Sequence, residues 1–283
     1  MAKGLMRISE IFGHSVEDQS AAAWHNRTSK HCRFRNSPCT KASKKNPLGI
    51  CSLSDGRSAA ALCPVRFVER DQIFKDAARL AFGEGIGFGV FPEIRVLKIE
   101  RESDDENDRK IGKVDYLLGR IESGAITDFA AVEVQAVYFS GTEIRSAFDH
   151  FLTHKSLDEA NSDRRPDFRS SAQKRLIPQL QLKIPVFRRW GKKFFVVVDQ
   201  QFFGSLPSFS HTTQANSELT WLVYRIENSR QNYSLSNVDI IHSEWDEVRN
   251  ALREGTPPEP AEIVAELQKK LGNRRNVTRL LQT

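Results

Sequence analysis

The chain has 283 residues, 39% hydrophobic and 28% charged with eighteen Phe, a balance that excludes wholesale disorder and suits one sizeable core with a small appended module. No apolar run is long enough to span a bilayer, and the opening MAKGLMRISEIFGH lacks the apolar stretch and cleavage site of a signal peptide, so the expected location is the cytoplasm. The net charge of +6 is uneven: residues 1–66 hold eleven Lys and Arg against four Asp and Glu, and residues 164–193 hold ten against the single acid Asp167, patches that attract phosphate backbones or simply form solvated surface.

Residues 1–66 are rich in Ser, Asn, Arg and Lys, poor in periodic apolar pattern, and contain all four cysteines, Cys32, Cys39, Cys51 and Cys63, spaced C-x6-C-x11-C-x11-C. Such a segment cannot build a core from its own side chains. In a reducing compartment the staple it needs is a metal rather than two disulfides. Four thiolates bind zinc or iron tetrahedrally, and in a coreless module that binding energy becomes folding energy. With every position taken by sulfur, such a site is structural. The plainer alternatives are that some of the four are ordinary thiols, or that His25 or His31 replaces one. Arg33, Arg35, Lys41, Lys44, Lys45 and Arg57 surround the cysteines as candidate DNA contacts, Arg suited to guanine edges and Lys to phosphates.

The next stretch, FVERDQIFKDAARLAF, puts Phe67, Phe74, Ala77, Ala78 and Phe82 on one face at helical spacing and predicts an amphipathic helix, broken by Gly83, Gly85, Gly87 and Gly89. FPEIRVLKI, KVDYLLGRI and DFAAVEVQAVYF predict a three-strand meander. Residues 142–157 return to helical spacing, with Ile144, Ala147, Phe148 and Phe151 on one side and Thr142 as N-cap. The second basic cluster follows, with Arg164, Arg165, Arg169, Lys174 and Arg175 as further candidate DNA contacts. KKFFVVVDQQFF and LTWLVYRIE predict two more strands, so the sheet is mixed. EPAEIVAELQKKLGNRRNVTRLLQ predicts a helix pair or a broken helix.

Asp115 lies mid-strand, and Glu133 with Gln135 lies mid-strand in another apolar run, with seventeen residues between Asp115 and Glu133. Ionised carboxylates are costly inside a sheet unless something compensates them. Alternation puts Glu133 and Gln135 on one face, and pairing of the two strands brings Asp115 beside Glu133. Two carboxylates and a backbone carbonyl suit Mg²⁺, which activates a bound water and offsets charge on a phosphate undergoing hydrolysis. The bland alternative is that Glu133 and Gln135 occupy the wet face of an amphipathic strand.

Asp115, a spacer, and Glu133-Val134-Gln135 on the next strand, followed by a helix, resemble the PD-(D/E)XK nuclease core, with Gln135 where Lys is usual. The Glu-x-Gln variant joined to an N-terminal four-cysteine site resembles the NotI-type Type II restriction endonucleases. The resemblance implies an α/β fold (an α+β mixed sheet) in two parts, a four-cysteine module over 1–66 and a nuclease domain over 67–283. It implies a prokaryotic Type II site-specific deoxyribonuclease with Asp115 and Glu133 as Mg²⁺ ligands and Gln135 orienting the attacking water. The family's upstream acid matches Glu93, with Glu84 and Glu100 as rivals. The resemblance further implies iron in the cysteine site, where zinc is the other candidate, and a homodimer acting on double-stranded DNA at a GC-rich palindrome, paired with a cognate methyltransferase. The rival reading from another class is a non-catalytic, zinc-binding DNA-binding regulatory protein, and a repair or homing nuclease is the rival among enzymes.

Overall fold

Short runs of β-branched and aromatic residues set the strands, and the computed structural model describes residues 6–41, 43, 45–97, 112–138, 143–157, 166–229, 232–253 and 258–271. From the N-terminus come β1 (Arg7–Ile11), β2 (His14–Ser15), α1 (Ala21–Thr28), the hairpin β3 (His31–Cys32) and β4 (Ser37–Pro38), and a second hairpin, β5 (Ile50–Ser54) and β6 (Ser58–Ala61). A 3-10 turn, Pro64–Asp71, leads into α2 (Gln72–Phe82), then β7 (Gly87–Arg95), β8 (Lys113–Glu122) and β9 (Ala125–Val134). The chain continues through α3 (Glu143–His154), α4 (Phe168–Ser171), a π-helical turn (Ala172–Leu176) and α5 (Ile177–Trp190). Then follow β10 (Phe194–Asp199), α6 (Gln200–Phe203), β11 (Leu219–Ser229), β12 (Asn232–Ser243) and α7 (Trp245–Arg253). Residues up to Leu252 form one unit; a second, from Arg253 onward, contains α8 (Pro260–Leu271).

One mixed sheet runs β2-β1-β5-β6-β11-β10-β9-β8-β7, with β12 antiparallel to β11. The expected meander is β7-β8-β9, antiparallel throughout. β9, β10 and β11 run parallel, as the helical crossover from β9 to β10 requires. Alternation divides the core between the two faces. Phe194, Val196 and Val198 of β10 join one cluster with Ile144, Phe148, Leu180, Ile184 and Phe187 of α3 and α5. Phe195 and Val197 join the other, with Ile73, Phe74, Ala77 and Ala78 of α2. Helices thus cover both faces of the sheet centre.

The predicted face Phe67, Phe74, Ala77, Ala78 and Phe82 is buried, each Phe contributing about 1.5–3 kcal/mol. The helix, however, begins at Gln72 rather than at Phe67. Arg70 and Asp71 take left-handed backbone, with φ of +54° and +58°, and separate it from the 3-10 turn. α3 buries Ile144, Ala147, Phe148 and Phe151 as expected, while Thr142 lies outside the described residues. KKFFVVVDQQFF is a strand only to Asp199. The Asp199 carboxylate accepts the Phe202 N–H at 2.8 Å to cap α6, and the Ala61 N–H at 3.0 Å to tie down β6. Of the C-terminal helix pair or broken helix, α8 is the part described, and the remainder lies outside the described residues.

The first 66 residues supply four strands of the sheet. Ile8, Ile11, Phe12, Ile50 and Leu53 enter the common core alongside α3 and α5. No helix among the described residues is long and apolar enough to cross a membrane.

Candidate active site where two strands part

The β8-β9 ladder pairs Tyr116 with Val132 and then stops; one more step in the same register would set Asp115 opposite Glu133. The two carboxylates take over the backbone hydrogen bonds that the ladder gives up. Asp115 Oδ2 accepts the Val134 N–H at 2.8 Å, and Glu133 Oε2 accepts the Asp115 N–H at 3.4 Å. β9 stays in place because its other edge is zipped to β10, with Glu133 level with Val196 and the Gln135 N–H donating to Val197 O at 2.9 Å. The β7-β8 register has the same property: Pro92 pairs with Tyr116 and Ile94 with Val114, so Glu93 falls level with Asp115. Glu93, Asp115 and Glu133 therefore form one row across three neighbouring strands.

Glu93 has a φ of +54°, a conformation that costs a non-glycine residue about 1–3 kcal/mol unless its surroundings enforce it. It is exposed and meets Lys113 Nζ at 3.3 Å. Glu133 lies on the covered side of the row. Its Oε1 accepts from Lys183 Nζ at 2.6 Å, and the two side chains are 8% and 2% exposed. Lys183 occupies the apolar stripe of α5, in line with Ile177, Leu180, Ile184 and Phe187, all of them buried. That position, a lone Lys where helical spacing calls for an apolar residue, was the sequence signal for it. Sequence reasoning counted it only as one charge of the second basic cluster.

Negative charge outweighs positive along this row. Burial and then the charge of Asp115 push the Glu133 carboxyl up to about 7, against the opposing pull of Lys183. Burial likewise raises Asp115, aided by the charge of Glu93 and opposed by the Val134 N–H and by Lys183. Hard oxygen donors with uncompensated negative charge fit a divalent cation such as Mg²⁺. Gln135, half-buried just past β9, donates its amide to Ala136 O at 2.5 Å. Glu84 lies apart, beside Lys75 and Arg79, and Glu100 is outside the described residues. A cleft of about 390 Å³ opens onto the row, lined by Arg35, Pro64, Val65, Val68, Pro92, Glu93, Asp115, Tyr116 and Val134.

The cysteines come in two pairs on two hairpins. Cys32 and Cys39 flank the β3-β4 turn, closed by the Cys39 N–H on Lys30 O at 2.9 Å. Cys51 lies on β5, and Cys63 follows β6 with its N–H on Cys51 O at 3.3 Å. All four are free thiols. Burial raises Cys32, Cys39 and Cys51, and the charge of Cys63 adds to each, so the four lie within one another's fields. The backbone amides of Phe34 and Arg35 favour the Cys32 thiolate, and that of Lys41 favours the Cys39 thiolate. This donor set fits a thiophilic cation. Among the described residues, no group of three or more His, Cys, Asp or Glu is closed to ligating distance. His31 bonds Asn36 Oδ1 at 3.1 Å, and His25 is exposed.

Of the candidate DNA contacts, Arg33, Arg35, Lys45, Arg57, Arg169, Lys174 and Arg175 are exposed. Lys44, Arg164 and Arg165 lie outside the described residues. Lys41 turns inward instead: its ammonium donates to Ile50 O and Leu62 O, both at 2.8 Å, and locks the second hairpin's backbone.

The family model for Restriction endonuclease NotI matches residues 19–236, a span that holds the four cysteines, the carboxylate row and Lys183. No curated protein matches the chain. With most of its length, and every part of the site described above, inside that match, the chain belongs to the NotI restriction endonuclease family.

Proposed function

We propose that this restriction endonuclease is a Type II enzyme that hydrolyses DNA phosphodiester bonds at the Glu93-Asp115-Glu133 row, with Mg²⁺ as its cation, on the PD-(D/E)XK core. The observation that carries the reading is the parting of β8 from β9 at Asp115 and Glu133, which leaves a half-buried and a buried carboxylate level with one another and sharing one buried cation, Lys183. A fold needing only a DNA-binding surface has no use for so costly a pair. Asp115 and Glu133 would hold the cation, and Glu93 is the third acid of the set. When bound, a divalent cation lowers the pKa of water and offsets charge on the phosphoryl group.

The protein's own groups supply the placement. The Val134 and Asp115 amides fix the orientation of the two carboxylates, and Lys183 holds Glu133 from the covered side. Gln135 carries no charge, so stabilisation of the phosphoryl group falls to cations from elsewhere in the chain.

The same reading makes Cys32, Cys39, Cys51 and Cys63 a structural iron or zinc site and gives the module over 1–66 a DNA-contacting role beside the nuclease domain over 67–283. It includes a homodimer matched to a palindrome, GC-rich as in its family, with a cognate methyltransferase as partner in protection. The test is digestion of long unmethylated DNA with Mg²⁺ and with EDTA, followed by end-sequencing. Discrete Mg²⁺-dependent fragments sharing a palindrome are expected; retained binding without cutting would move the reading to a regulatory protein.

A further inference from the structure

Glu93 and Asp115 face the cleft with negative charge, yet the group to be received there, a phosphodiester, is itself an anion. Lys183 cannot meet it, being buried behind Glu133, and Lys113 is drawn to Glu93. The basic side chain that lines the cleft with Glu93 and Asp115 is Arg35, which enters from the four-cysteine segment. We propose that Arg35 is a catalytic residue of the cleavage site, gripping the phosphate as it is attacked beside Asp115; this rests on the nuclease reading above.

Two features support the assignment. Arg35 is exposed, and among the described residues its guanidinium has one protein hydrogen bond, Nη1 to Thr40 Oγ1 at 3.2 Å, which orients the group and leaves its other N–H donors for a ligand. Its place on the β3-β4 turn, three residues after Cys32, makes the first hairpin part of the cleft wall. Pro64, Val65 and Val68, directly after Cys63, form more of the same wall. The cysteines thereby hold the wall that faces the carboxylates, and their integrity bears on cleavage as well as on DNA binding.

In the step concerned, water oxygen bonds to phosphorus, one ester P–O bond breaks, and the water's proton ends on the departing alcohol oxygen, with no change of oxidation state. Negative charge gathers on the non-bridging oxygens as this happens. A planar guanidinium meets two such oxygens at once, and Lys cannot reproduce that fork.

The experiment compares wild type, Arg35→Ala, Arg35→Lys and Lys269→Ala, the last an exposed basic position on α8, under single-turnover conditions, with enzyme in excess over a fluorescent duplex carrying the palindrome that digestion returns. Affinity for the same duplex is read with Ca²⁺ in place of Mg²⁺. Arg35→Ala is expected to cut at least about 100-fold more slowly at saturating enzyme while its Kd changes by no more than about threefold, Arg35→Lys to recover only part of the rate, and Lys269→Ala to cut normally. Equal saturating rates for wild type and Arg35→Ala would overturn the proposal and leave the nuclease reading intact. A wild-type chain that does not cut would overturn that reading and the proposal together.

Discussion

Lys183 Nζ stands 2.6 Å from Glu133 Oε1, joining α5 to the end of β9 by an ion pair almost wholly removed from water. Removing one partner of such a pair leaves a buried charge without compensation. Lys183→Met should therefore destabilise the fold by about 3–5 kcal/mol, and Lys183→Met combined with Glu133→Gln should cost clearly less than the two single changes added. Urea unfolding of the four chains measures this; simple additivity would mean that the contact contributes no coupling.

The Glu133 carboxyl, raised by burial and Asp115 to about 7 from 4.5, sets a pH dependence. An acid with a raised folded pKa holds its proton more tightly folded than unfolded. Its contribution to stability is fully present below the unfolded value and is lost as pH rises through about 7. A divalent cation must displace that proton at low pH but not at high pH. Ca²⁺ should thus raise the melting temperature more at about pH 8 than at about pH 6, and Glu133→Gln should abolish the difference. An equal Ca²⁺ effect at both pH values in wild type would count against Glu133 as a ligand.

The cysteine pairs make a prediction independent of cleavage. Cys39→Ser, at a half-buried position that tolerates the exchange, and Cys51→Ser, at a buried one, should each lower the bound iron or zinc and the melting temperature together. Elemental analysis beside thermal melts tests this. Unchanged metal content with an unchanged melt would remove the structural metal site.

Much of the sheet centre was legible in the sequence because its strands are short runs of β-branched and aromatic residues: DFAAVEVQAV marked most of β9, which stops at Val134, one residue short of the Gln135 expected mid-strand, and the spacing of Ile144, Phe148 and Phe151 placed α3. β1 and β5 were not, because they bury polar residues. Ser9 and Ser52 share a hydrogen bond at 2.8 Å, Ser52 donates to Glu10 at 2.6 Å, and Arg66 Nε reaches the same carboxylate at 2.7 Å. Those partners lie more than forty residues apart, so RISEI and ICSLS read as polar loop until the fold pairs them. The residues of the site were visible as types and positions, but their common row was not. It depends on the registers of both hairpins, which local pattern does not specify.

Cutting at the parted strands requires the charge of Asp115, which Asp115→Asn removes. Asn keeps the shape and a carbonyl acceptor for the Val134 N–H while removing the charge. With Mg²⁺, the variant should cleave at least about 1,000-fold more slowly than wild type and bind the same duplex within about threefold. Cleavage by Asp115→Asn at the wild-type rate would contradict the assignment.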